Sequence, residues 1–105
     1  MNKLSEEITN NIPDFMESMF IYFPWENKSN VFYNDFYYGI QQYFKNKNYK
    51  LKVFLLEIIT KEVINELINQ GILKTIQKNI WNLNYLGTIG NKNIVILGEK
   101  EVKND

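Results

Sequence analysis

Glu62 and Glu66 stand one helical turn apart in TKEVINELINQGIL, residues 60–73, and Glu6 and Glu7 are adjacent near the amino end. Paired carboxylates can act as an acid and base couple or hold a hard cation. Neither pair has further ligands at an informative spacing, so both are read as solvated side chains. The chain has no His and no Cys. Imidazole and thiolate are thereby removed together, and with them the usual zinc ligands, the commonest general base and the usual nucleophile and base couples. The stretch GTIGN, residues 87–91, lacks the spacing of a phosphate-binding loop and falls between strands, where such a loop would open a helix. Neither an enzyme, a metal site nor a cofactor is expected.

Binding chemistry is better represented. Every cationic side chain is Lys, and twelve of them balance twelve Asp plus Glu. A pI of about 6.3 gives no global attraction to polyanions, so nucleic acid would need a local patch. The densest basic stretch is KNKNYKLK, with Lys45, Lys47, Lys50 and Lys52 around Tyr49. Its ammonium groups could meet phosphates while Tyr49 stacks on a base, or they could simply keep a connecting turn hydrated. The lack of Arg weakens reading of base edges, for which the guanidinium fork is best suited.

Charge is uneven along the chain. Residues 1–30 carry five carboxylates against Lys3 and Lys28, a net of −3, whereas residues 31–92 carry eight Lys against Asp35, Glu57, Glu62 and Glu66, a net of +4. The first third reads as an acidic helical extension, able to mask a basic surface or dock on a basic partner. At 105 residues and 45% apolar content the chain makes one domain with one modest core, ending in a charged tail over residues 98–105. MNKLSEEITNN is acidic and polar where a secretion signal is basic and then apolar, and no apolar run approaches the roughly 18 residues of a membrane span. A cytoplasmic location and no membrane are expected.

The elements that must position these residues follow from period. Ile12, Phe15, Met16, Met19, Phe20 and Phe23 mark a helix face, with Pro13 in its first turn and Pro24 ending it. Ser5 before Glu6 and Glu7 starts a shorter helix ahead of it. PWENKSN reads as a loop. Tyr33, Phe36, Tyr37, Ile40 and Phe44 define a helix over 31–44, in which Gly39 marks a close helix contact. Leu51, Phe54, Leu55 and Ile58 define a third helix, and Thr60 is read as the N-cap of a fourth that carries Val63, Ile64, Leu67 and Ile68 inward and stops at Gly71. The period then becomes that of strands at 72–76, 80–85 and 93–97. The expected class is α+β, N-terminal helices followed by a small three-stranded antiparallel β-meander.

Helix, helix, turn, helix ending in INQGILK, then a hairpin, resembles the winged-helix family of helix-turn-helix proteins over about residues 31–97. The resemblance implies that 51–59 is the second helix, 61–70 the recognition helix and Gln77–Asn79 the wing, with Leu51, Phe54, Val63 and Leu67 in the core. It implies a reading face of Lys61, Glu62, Asn65, Glu66 and Asn69; a regulator of this kind would place Lys74, Lys78 or Lys92 on the backbone of duplex DNA. On that face Asn65 and Asn69 suit adenine edges and Lys61 a phosphate, but Glu62 and Glu66 repel the backbone that supplies most of the affinity.

Aromatics are concentrated before residue 55. One helix face cannot take all of those in 31–44, which leaves Phe32, Tyr38 and Tyr43, with Trp25 in the preceding loop, directed elsewhere. Such rings supply large rigid contact area, so these four are candidate protein-interface residues, including an interface between copies of the chain. Two classes of function therefore stand. In one, the protein is a non-enzymatic adaptor or inhibitor that contacts a larger assembly, as a phage or plasmid inhibitor of a nucleic-acid-handling complex would. In the other, it is a dimeric winged-helix regulator of transcription that binds duplex DNA. Electrostatics favours the first.

Overall fold

The computed structural model describes residues 1–22, 30–89 and 92–96. In chain order these form α1 (Lys3–Thr9), α2 (Ile12–Tyr22), β1 (Asn30–Phe32), α3 (Tyr33–Lys45), α4 (Val53–Asn69), β2 (Leu73–Gln77), β3 (Ile80–Leu83), β4 (Tyr85–Ile89) and β5 (Lys92–Ile96). The class is α+β. Two antiparallel sheets are present, a three-stranded one in the order β1-β3-β2 and a ribbon of β4 with β5.

Helix α1 begins earlier than Ser5. Asn2 is its N-cap, accepting from the Leu4 N–H at 2.8 Å, and Ser5 lies inside the helix, fully buried. Helix α2 has the expected start. Ile8, Phe15, Met16 and Met19 are buried in the same core as α3 and α4. Phe20, Phe23 and Trp25 lie outside the described side chains.

Residues 30–32, expected as loop and helix start, are a strand. Val31 points inward opposite Trp81, and the ring of Phe36 meets Trp81 edge-on at 6.2 Å. The Phe32 N–H donates to the Asp35 carboxylate at 2.8 Å, which occupies one of the free donors where α3 begins. The third strand of the sheet is thus β1. The expected last strand, 93–97, pairs instead with β4, which takes up Gly87–Ile89 of the expected turn.

The largest departure is at Thr60. Residues 51–59 and 61–70 are not two helices with a turn between them. They form the single helix α4, and Thr60 sits buried in its middle, donating its hydroxyl to the Leu56 carbonyl at 2.7 Å. Threonine can cap a helix or bond back to the fourth carbonyl behind it, and the continuous stripe Leu56, Ile59, Val63, Ile64 and Leu67 selects the second. The turn expected within KNKNYK, residues 45–50, is the one that separates α3 from α4. There Asn48 adopts φ 62°, the Tyr49 N–H reaches the Phe44 carbonyl at 2.8 Å and the Asn48 N–H reaches that of Lys45 at 2.9 Å. Gly71, φ 79°, ends α4 by the same double closure, through the Ile72 N–H on the Leu67 carbonyl and its own N–H on that of Ile68.

Candidate functional site

Because α4 runs unbroken through Thr60, its outward face is set by about 100° per residue from Val53 to Asn69. Leu56, Ile59, Thr60, Val63, Ile64 and Leu67 face the core. The opposite face carries Phe54, Glu57, Ile58, Lys61, Asn65 and Asn69, all exposed. Phe54, expected in the core, is 67% exposed; neighbouring Val53 is 62% exposed and Ile58 38%. A core position for Phe54 required the helix to restart at Thr60. With one helix, Phe54 is turned to the solvent side.

The two acidic members of the predicted reading face have internal partners. Glu62 Oε1 accepts from the Ser5 hydroxyl at 2.7 Å and from the Asn2 backbone N–H at 2.9 Å, which fastens α1 along one flank of α4. These two donors, the Ser5 hydroxyl first, hold the Glu62 carboxyl below its ordinary pKa. Glu66 accepts from the Gln70 side-chain amide at 2.8 Å. Lys61, Asn65 and Asn69 remain on the surface. The face that the sequence presented as charged and polar is apolar at its amino-terminal half, and Glu62 is turned to α1 as a hydrogen-bonded carboxylate.

On the other flank of α4, Tyr33 of α3 is half-buried against the core. Desolvation, and next the Glu57 carboxylate, raise its phenol pKa. Tyr37 stacks beside it with ring centres 6.0 Å apart. Of the candidate interface aromatics, Phe32 and Tyr38 are exposed, at 42% and 50%. Tyr43 is not. It is 4% exposed, edge-on to Phe15 at 5.7 Å and to Phe44 at 5.2 Å, because α2 packs across α3 at that position. Trp25 lies outside the described residues.

Lys45, Lys50 and Lys52 are exposed at the α3–α4 turn. Lys45, Lys50, Tyr49, Asn48, Gln41 and Leu51 line an open cleft of about 550 Å³, with no carboxylate in its wall among the described residues. Lys47 faces elsewhere, 3.9 Å from the Glu7 carboxylate and 5.0 Å above the Tyr43 ring. Lys78 is exposed at the tip of the β2–β3 hairpin beside Asn79, whose φ is 62°. The basic residues are therefore divided between the turn and the hairpin tip, with the apolar α4 face a separate feature. Comparison with family models, curated proteins and solved structures gave no match.

Among the described residues no group of three or more Asp or Glu side chains is placed to hold a metal ion, and no helix is long and apolar enough to cross a membrane. Sequence reasoning missed Val53, Phe54 and Ile58 as surface residues. The signal that could have found them was the unbroken inward stripe across Thr60, which leaves those three on the opposite side.

Proposed function

We propose that the protein is a small non-enzymatic binding module that works through protein–protein contacts, as an adaptor or inhibitor of a larger assembly. One observation carries this reading. The exposed face of α4 presents Val53, Phe54 and Ile58 to solvent, where a helix that binds a polyanion would present cations. Phe32 and Tyr38 add exposed aromatic surface on β1 and α3.

A winged-helix DNA regulator is the second reading. It is supported by the element order α2-β1-α3-α4-β2-β3 with sheet order β1-β3-β2, and by Lys45, Lys50 and Lys52 at the turn before α4 with Lys78 at the hairpin tip.

Fluorescence anisotropy with duplex and single-stranded DNA, at low and near-physiological salt, separates the two. The protein-contact reading expects no association at either salt. Binding that weakens steeply with salt, and weakens again when Lys45, Lys50, Lys52 and Lys78 are replaced by Gln, would transfer the conclusion to the regulator.

A further inference from the structure

The outward stripe of α4 has an internal order that bears on its partner. Phe54, Glu57, Ile58, Lys61 and Asn65 fall within an arc of about 100° on the helix. Phe54 and Ile58 supply the apolar surface; between and beyond them stand one carboxylate and one ammonium group, four positions apart. Among the described residues neither Glu57 nor Lys61 is ion-paired within the chain.

We propose that this stripe packs on the same stripe of a second copy of the chain, with the two α4 helices antiparallel across a twofold axis near Ile59. A twofold contact uses one patch twice, so the patch must complement itself. With the axis at that point Glu57 opposes the partner's Lys61, and symmetry repeats the pair. Ile58 lies about 1.5 Å along the helix from the axis and meets the partner's Ile58. Phe54, a little over one turn away, covers the partner's Asn65 and the aliphatic stem of the partner's Lys61. Parallel helices would instead set Glu57 beside the partner's Glu57 and Lys61 beside the partner's Lys61, so the charges choose the antiparallel arrangement. This assignment rests on the reading of the α4 face as a protein-contact surface. It leaves Phe32 and Tyr38 for a different protein.

One helix stripe covers less area than the roughly 800 Å² per partner of a standard stable interface, so the self-association is concentration-dependent. Sedimentation equilibrium of the full chain over roughly 1–500 μM should show the mass rising from 12.6 kDa toward twice that value. Phe54→Glu should hold it at the monomer throughout with an unchanged circular dichroism spectrum, since the residue is exposed. Glu57→Lys and Lys61→Glu should each weaken self-association by about tenfold. Mixed in equal amounts, the two variants should form a heterodimer at least as tight as wild type, because both cross-axis pairs are then opposite in sign. A wild-type mass that stays at the monomer value, or a dimer that survives Phe54→Glu, overturns the proposal. Failure of the mixed variants to associate overturns the antiparallel register. Each of these results is independent of the DNA titration, which judges the broader protein-contact reading by itself.

Discussion

The Ser5 hydroxyl donates to Glu62 Oε1 at 2.7 Å, joining residues 57 positions apart. The Asn2 N–H reaches the same oxygen at 2.9 Å, so one carboxylate oxygen holds the first turn of α1 against the middle of α4. Ser5 is fully buried, and its hydroxyl has no water to fall back on. A residue that looked like an obstacle to phosphate is a structural fastener.

Glu62→Ala should therefore cost stability. It leaves the buried Ser5 hydroxyl and the Asn2 N–H without their acceptor, a loss of about 1–3 kcal/mol. In a domain of this size that lowers Tm by several degrees, on the order of 4–8 °C per kcal/mol. Glu66→Ala should change it little, because the Glu66–Gln70 pair is exposed. Equal effects of the two substitutions in thermal unfolding would contradict the fastener role.

The same contact makes stability acid-sensitive. The folded-state pKa of Glu62 lies below its ordinary 4.5, chiefly through the Ser5 hydroxyl and next through the Asn2 N–H. A depressed folded value means that the contribution is complete above the unfolded value near 4.5 and disappears as pH falls through the folded value. Chemical denaturation measured from pH 6 down to roughly pH 2.5 should show a decline that is shallower in Glu62→Gln, which has no proton to gain. Identical slopes for wild type and Glu62→Gln would remove Glu62 from the acid response.

Continuity of α4 gives a residue-level signature. Were Thr60 an N-cap, the backbone N–H groups of Lys61, Glu62 and Val63 would lack helical acceptors and exchange quickly. In one continuous helix they bond to the carbonyls of Glu57, Ile58 and Ile59. Native-state hydrogen exchange should give these three amides protection comparable to that of Ile64 and Leu67. Fast exchange confined to residues 61–63 would restore the break.

What the sequence could and could not convey follows from the range of each interaction. Helix α2, the stop at Gly71 and the α+β class were legible, because period and a left-handed C-cap are local properties. Strand β1 was not, since three residues carry no period and Val31 becomes a strand residue only by pairing with Trp81. Thr60 offered a real ambiguity, as its hydroxyl can bond forward or backward, and the wrong choice moved Phe54 from surface to core. The Ser5–Glu62 contact had no local signal at all.

Tyr38 and Tyr43 share α3 and were both read as interface residues, but they should behave oppositely on truncation. Tyr43→Ala removes a ring packed between Phe15 and Phe44 and should cost about 3–5 kcal/mol, the range for large buried aromatics. Tyr38→Ala, at 50% exposure, should stay within about 0.5 kcal/mol. Urea denaturation of the two variants decides this, and a costly Tyr38→Ala would mean that its ring is packed more firmly than its exposure shows.

At Gly39 of α3 the side chain of Met19 from α2 comes close to the helix backbone. A Cβ built there would lie 1.8 Å from Met19 Sδ and 2.7 Å from Met19 Cε, inside the core. In an exposed helix Gly→Ala would gain about 1 kcal/mol of propensity. Here the displaced thioether must find room among buried neighbours, and overpacking of this kind costs about 1–3 kcal/mol, so Gly39→Ala should come out neutral to destabilising in place of stabilising. Methionine is the most adaptable core side chain, so the strain is specific to its length and should be relieved by shortening it. Met19→Val alone opens space and destabilises. Combined with Gly39→Ala it should cost less than the two changes added together, with a favourable coupling of about 1 kcal/mol in a double-mutant cycle. Strict additivity would mean that the helices separate at Gly39 instead of repacking around Met19.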